Sequence, residues 1–250
     1  MGMDFIDLTP ENIKSEHLCC IIRSKKPHPG VEAKREWLSA RLAEGHVFRK
    51  LNEKATVFIE YAPLETAWVP VVGDNFFYVY CLWVSGDYKG KGYGKALMES
   101  CLADARAKGK SGVCLLGAAR QKHWLTDQAF VKRFGFEVVD TTDYGYELLA
   151  LSFDGTKPRF TREAKSGRIE AKELTVYYDV QCPYAYQNIE TIRRYCEASG
   201  DPVTFEQVDS LEKAKKLPCV FNNCAVFYKG KFETVNLLLD VAGLKRMLKA

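Results

Sequence analysis

No apolar run among the 250 residues approaches the ~20 needed to cross a bilayer, so a membrane partner is not expected. The opening Met1-Gly-Met-Asp-Phe-Ile6 is not a secretory leader, and Ile6 stands where a myristoylation site needs Ser or Thr. Zinc-ligand spacing is missing: His17, His28, His46 and His123 are scattered, no Cys/His cluster forms, and no metal site is expected. The nine cysteines (19, 20, 81, 101, 114, 182, 196, 219 and 224) are odd in number and irregular in spacing, which makes a poor disulfide framework. Several lie inside apolar runs, as reduced buried thiols do. The expectation is a cytoplasmic protein. Strong charge is missing too. A net charge of +4, with no basic stripe interleaved with aromatics, argues against a nucleic-acid partner and suits a small polyanionic ligand.

What is present is enough apolar residue, 47%, for a proper core, and length for one large or two modest domains. The most informative stretch runs from Phe76 to Lys108. Phe76 to Val84 is aromatic and β-branched, as buried strands are. Ser85-Gly-Asp-Tyr88 is a turn. Lys89-Gly-Lys-Gly-Tyr-Gly-Lys95 is glycine-rich and basic, and an amphipathic helix follows from Ala96. Glycines let backbone N–H groups converge on an anion, and the helix start adds its own free N–H groups and partial positive charge. The loop reads as a pyrophosphate cradle. Its spacing is neither the Walker A pattern nor the G-x-G-x-x-G of dinucleotide folds.

The string Leu82-Trp-Val-Ser-Gly-Asp-Tyr-Lys-Gly-Lys-Gly-Tyr-Gly-Lys-Ala-Leu97 closely resembles the acetyl-CoA motif of the GNAT superfamily of N-acetyltransferases, with Lys89 in the usual Arg/Gln place. The resemblance extends over roughly residues 3–153. It implies a mixed α/β (α+β) fold whose central strands splay apart. Backbone groups of Leu82, Trp83 and Val84 would bind the pantetheine arm of acetyl-CoA. Lys89, Gly90, Lys91, Gly92, Tyr93, Gly94 and Lys95 would hold the pyrophosphate, and Thr126 stands where an asparagine is common.

The first 153 residues as a whole are read in the βααβββαβαββ order of that fold, with Glu65 to Gly73 a further β run. Phe5 to Leu8 is a strand, and Thr9-Pro10-Glu11 starts a helix with a capping Thr and Pro at the first position. Ser24 to Gly30 is a polar loop, and Val31 to Glu44 is a helix stopped by Gly45. Strands are expected at His46–Leu51, Ala55–Tyr61, Glu65–Gly73, Gly112–Leu116, Phe136–Val139 and Tyr146–Phe153. Leu125 to Phe134 is read as a helix.

Amine attack on a thioester needs a route for the amine proton, polarisation of the carbonyl and protonation of the leaving thiolate. Many family members use a tyrosine four residues before the Gly-Phe pair, here Gly135-Phe136; the position is Val131. Tyr144 and Tyr146 are possible substitutes that also read as ordinary strand tyrosines. Glu60 is a candidate base or a solvated strand carboxylate. His123 is a polar loop histidine, and Cys81 is a small buried residue of the cofactor strand.

Residues 154–171 are polar and read as a linker. From residue 172 the order β-α-β-α-β-β-α resembles the thioredoxin/glutaredoxin fold. Cys182-Pro-Tyr matches the start of a C-P-Y-C motif at a helix N-terminus, which stabilises thiolate. Leu217-Pro218 matches the family's cis-proline. Ala185 replaces the resolving cysteine, so an ordinary dithiol oxidoreductase is excluded. Cys182 is then either a lone thiol, with Cys219 near the proline, or part of a redox-dead binding module; Cys196 and Cys224 read as structural. The combination resembles the YoaP-type acetyltransferases. The reading is a two-domain protein, residues 1–153 and 172–250, that moves an acetyl group from acetyl-CoA to a small amine, with the C-terminal domain and Cys182 helping to form the acceptor site. A homodimer is one possible assembly. The rivals are a non-catalytic acyl-CoA sensor, favoured by Val131, and a monothiol redox protein using Cys182.

Overall fold

The computed structural model describes residues 3–22, 27–122, 124–235 and 241–249. Residues 24–26 of the loop expected at Ser24–Gly30, the His123 position and residues 236–240, where the sequence would start its last helix at Leu237, lie outside the described residues. The chain forms two compact units: Met1–Pro27 with Arg35–Ala67 and Val71–Arg159, and His28–Lys34 with Trp68–Pro70 and Phe160–Ala250. No helix among the described residues is long and apolar enough to cross a membrane.

In chain order the elements up to residue 160 are β1 (Phe5–Asp7), α1 (Pro29–Leu42), β2 (Val47–Leu51), β3 (Val57–Pro63), β4 (Val71–Val72), β5 (Phe76–Val84), α2 (Tyr93–Ala107), β6 (Gly112–Ala118), α3 (Gln128–Lys132), β7 (Glu137–Thr141), β8 (Tyr146–Ser152) and β9 (Arg159–Phe160). Seven strands of the first unit form one sheet in the order β1-β2-β3-β5-β6-β8-β7. β5 and β6 are parallel neighbours; every other neighbouring pair in this sheet is antiparallel. The parallel pair is short. It joins Phe76, Phe77 and Tyr78 to Gly112, Val113 and Cys114, and there it stops. β6 continues against β8 and β5 continues against β3, so the sheet opens between them from Val79 onward.

α2 covers one face of this sheet. Its apolar residues Leu97, Met98, Cys101, Leu102 and Ala105 recur at helical spacing, and all are buried. They share a core with Val57, Ile59, Tyr61, Phe77 and Val79 of β3 and β5. Truncating Leu97 there to Ala would cost about 2–5 kcal/mol. The Tyr61 hydroxyl donates to Asp104 Oδ2 at 2.9 Å and ties β3 to α2; burial pushes that phenol well above its ordinary range.

Several elements depart from the expected pattern. Thr9-Pro10-Glu11 opens turns, not a helix. The Asn12 side chain accepts from Thr9 N (2.8 Å) and donates to Asp7 O (3.0 Å), and such local bonds compete with helical ones. Of Glu65–Gly73 only Val71–Val72 is a strand, because Thr66 N and Ala67 N turn back onto Pro63 O and Leu64 O. The helix expected over Leu125–Phe134 shrinks to Gln128–Lys132. Asp127 Oδ1 caps it by accepting from Ala129 N at 2.8 Å, and the Gln121 side chain takes the Leu125 carbonyl at 2.9 Å.

The second unit contains β10 (Leu174–Tyr178), α4 (Pro183–Ser199), β11 (Val203–Gln207), α5 (Leu211–Lys215), β12 (Cys224–Tyr228), β13 (Lys231–Thr234) and α6 (Val241–Lys249), in the element order read from the sequence. Its sheet runs β11-β10-β12-β13, with β10 and β11 parallel and the other pairs antiparallel. α4 has Cys182 as N-cap and Pro183 in its first turn, ends at Gly200 in the left-handed region, and buries Ala185, Ile189, Ile192 and Cys196. These meet Leu174, Val176, Val226 and Leu244 in a separate core. The expected linker 154–171 is partly ordered: Gly167 N donates to Pro218 O, Ile169 N to Gly230 O and Phe232 N to Gly167 O. The cis bond expected before Pro218 is absent, since no described peptide bond is cis; trans is the lower-energy isomer even for X-Pro.

Candidate active site

The end of β5 that has left β6 lines a cavity of about 800 Å³. One wall is Cys81, Leu82, Trp83 and Val84, the part of β5 that has no β6 neighbour. A strand with one edge unpaired presents backbone N–H and C=O groups that an extended ligand can pair with. The floor is the loop after β5. Tyr88, Lys89, Gly90 and Gly92 to Lys95 line it, ending in the first turn of α2. Gly90 and Gly92 have φ of 74° and 84°. A Cβ at Gly90 would meet nothing within 4 Å, so the glycine answers the backbone conformation and not a shortage of space. Gly92 is the N-cap of α2, and α2 is 15 residues long. Its free first-turn N–H groups therefore face the floor together with the helix's positive end.

The opposite wall is Trp124 to Asp127 with Phe130 and Arg133. Phe130 and Arg133 lie three apart on and just after α3, so one short helix brings an apolar and a cationic side chain to the same wall. Trp124 stacks on Trp83 with ring centroids 5.4 Å apart and holds φ at 71°, a conformation that costs a bulky residue on the order of 1–3 kcal/mol. Lys89, Lys95 and Arg133 supply the wall's cations. The Lys95–Glu99 pair is exposed at both ends and 3.6 Å apart, so it ties up little of the lysine's charge. The whole lining suits a long ligand with an anionic end and an amide-rich arm.

Of the residues singled out from the sequence, Leu82, Trp83, Val84, Lys89, Gly90, Gly92, Tyr93, Gly94, Lys95 and Thr126 are on the cavity wall, and Lys91 is in the exposed turn outside it. Glu60 is off the wall. It is fully buried and hydrogen-bonded to His46 Nε2 at 3.0 Å, so it is no solvated strand carboxylate. Tyr144 is in the turn before β8, its ring 5.9 Å from that of buried Tyr146, and neither lines the cavity. Val131 is wholly buried in the α2 core. Cys182 belongs to the second unit, at the N-cap of α4. Sequence reading passed over Tyr88, Trp124, Leu125, Asp127, Phe130 and Arg133 on the wall; the Phe130/Arg133 spacing was the available signal.

A strand that leaves its parallel neighbour above a glycine-rich helix start is the arrangement of an acetyltransferase of the GNAT kind, and the acetyltransferase (GNAT) family model matches residues 12–136; the chain belongs to that family. A second model, described as YoaP-like, matches residues 202–245. Over 238 residues the chain is 38% identical to a Bacillus subtilis (strain 168) protein named uncharacterized N-acetyltransferase YoaP, which covers 94% of this chain and 95% of that one. Solved structures similar to it include a GNAT family acetyltransferase from Brucella melitensis in complex with acetyl-CoA (17% identity, 64% of this chain and 94% of that one, TM-score 0.39). Another is the PaiA N-acetyltransferase of Thermoplasma acidophilum in complex with coenzyme A (15% identity, 61% and 100%, TM-score 0.42).

Proposed function

We propose that this protein transfers an acetyl group from acetyl-CoA to the primary amine of a small molecule. The observation that carries the reading is that β5, past its last β6 neighbour at Tyr78, shares one cavity with the glycine loop that opens α2. In this reading Leu82 to Val84 hold the pantetheine arm through backbone hydrogen bonds. Lys89, Lys95 and the first-turn N–H groups of α2 hold the pyrophosphate. The acceptor nitrogen bonds to the acetyl carbon, the carbon–sulfur bond breaks, the amine loses a proton and the departing CoA thiolate gains one. Val131 offers no hydroxyl for that last proton, and the tyrosines that line the cavity, Tyr88 and Tyr93, stand at its glycine-loop floor. Acceleration then rests on holding amine and thioester in reactive geometry, which is worth up to ~7–11 kcal/mol in well-oriented systems.

Calorimetric titration with acetyl-CoA tests the cofactor site, with Gly92→Glu as control. The new carboxylate, at a left-handed N-cap, opposes both the backbone conformation and the phosphates. Binding by wild type alone supports the reading; no binding by wild type sinks it. Release of free CoA thiol with a panel of small primary amines then tests transfer. Buried Val131 favours a second reading, an acyl-CoA sensor without turnover, and binding with no thiol release across the panel would establish that reading instead. Running the panel with Cys182→Ser tests the proposed share of the C-terminal unit in acceptor choice, read as a raised acceptor KM with acetyl-CoA binding unchanged.

A further inference from the structure

Next to the cavity wall, four residues of the first unit close a ring. β3 and β5 pair in register from Val57↔Val84 to Glu60↔Cys81, and then the register slips, so that Tyr61 faces Val79. Tyr80 is left as the extra residue of a β-bulge. Its ring stacks on the His46 imidazole, with centroids 5.2 Å apart and planes 29° apart. His46 Nε2 is 3.0 Å from Glu60 Oε1, and the two side chains are 2% and 0% exposed. Glu60 is also the residue facing Cys81, where the bulge ends. The path Glu60–His46–Tyr80–Cys81 therefore returns to its start. Trp37 closes the cluster edge-on to both His46 and Tyr80, at 5.2 and 6.3 Å.

The bulge decides which side chains of β5 meet the core. Phe77, Val79, Leu82 and Val84 all pack into the α2 core. Alternation along a strand would put Val79 and Leu82, three apart, on opposite faces. One extra residue between them restores both to the same face and leaves Leu82 to Val84 in the register that lines the cavity. Without it every later side chain of β5 would exchange faces. A buried carboxylate–imidazole pair is a poor source of net stability, and its best-attested use is to specify one arrangement over its neighbours.

We infer that the His46–Glu60 pair is a positioning device for the transfer site, pinning the Tyr80 bulge and thereby fixing where Cys81 and Leu82 present their backbone to the bound thioester. This rests on the acetyl-CoA reading above. Glu60 acts here through His46 and the bulge, as an acceptor of the imidazole N–H, and not through its charge.

The test compares Glu60→Ala, His46→Ala and Glu60→Gln in the full-length protein. The glutamine oxygen still accepts from the imidazole but carries no charge. Both alanine variants should lower kcat for amine acetylation by about 10- to 100-fold, the scale of a small misplacement of reacting groups. KM for acetyl-CoA should rise far less than kcat falls, because the Lys89–Lys95 loop is untouched and Leu82 supplies only part of the grip on the pantetheine arm. Glu60→Gln should keep most of kcat. Amide resonances of Cys81 and Leu82 should move in the alanine variants and stay in place in Glu60→Gln, with or without acetyl-CoA. A Glu60→Gln enzyme as slow as Glu60→Ala, or a Glu60→Ala enzyme as fast as wild type, overturns the inference. If wild type acetylates none of the amines, the transfer reading has failed, and the resonances decide alone: unmoved Cys81 and Leu82 signals in the alanine variants reject the pinning. Should Glu60→Ala not fold, Tyr80→Leu breaks the same ring at the bulge, leaves the pair in place and carries the same expectations.

Discussion

Burial, with Lys50 beside it, pushes the His17 imidazole down to about 4 from 6.5. Its Nε2 is buried with no hydrogen-bond partner among the described residues. The consequence for stability has a definite sign. As pH falls below about 6.5 the unfolded chain takes up a proton at this histidine while the folded chain does not, so stability is lost between about 6.5 and about 4 and levels off below. Thermal melts at steps between pH 7.5 and pH 5 should show a falling Tm whose slope is smaller in His17→Gln; an equal slope would show that His17 does not carry the effect. The glycine loop was legible because its chemistry is spelled in adjacent residues. The His46–Glu60 pair was not, because it depends on register. Strands expected at His46–Leu51 and Ala55–Tyr61 leave a short β2–β3 connection, whereas the ladder has Phe48 facing Glu60 and β3 starts only at Val57. A shift of one residue in that hairpin changes what His46 faces.

Helices and strands were legible in proportion to their length. α2 shows sustained periodicity and β5 an unbroken apolar run; β5 spans the expected residues, and α2 starts at Tyr93, inside the glycine loop. Leu125, Phe130, Val131 and Phe134 also look helical, yet the helix is only five residues long because Asp127 and Gln121 take nearby backbone groups for themselves. This short element carries one wall of the cavity, which makes its cap a functional lever. Asp127→Ala removes the acceptor for Ala129 N and should cost about 1 kcal/mol. In hydrogen exchange, amides of Gln128 to Lys132 should open faster while those of α2 keep their protection. The KM for acetyl-CoA should rise a few-fold with the wall loosened, about the tenfold limit that 1.4 kcal/mol sets. Unchanged exchange in α3 would mean the cap adds nothing to its stability.

At the scale of the molecule, the sequence suggested a linear division with a linker at 154–171, whereas residues 28–34 and 68–70 group with the C-terminal segment. Local periodicity says which face of an element is apolar; it does not say which core receives that face. The cysteines give the whole fold a direct readout. All nine stand as thiols. Cys19, Cys101, Cys114, Cys196, Cys219 and Cys224 are buried, and Cys20, Cys81 and Cys182 are partly exposed. Burial pushes the thiols of Cys101, Cys196 and Cys219 up and that of Cys224 to about 12, so the reactive thiolate is scarce at each of these positions. A brief pulse of iodoacetamide at pH 8 on the native protein, read by peptide mass spectrometry, should label Cys20, Cys81 and Cys182 and spare the other six. Cys81 alone among those three lines the cavity. Saturating acetyl-CoA should therefore remove Cys81 from the labelled set and leave Cys20 and Cys182 in it, and Gly92→Glu should cancel that protection. Protection of Cys81 that survives Gly92→Glu would place the ligand away from the glycine loop. Labelling of Cys81 undiminished at saturation would show that the strand wall of the cavity is not where acetyl-CoA lies.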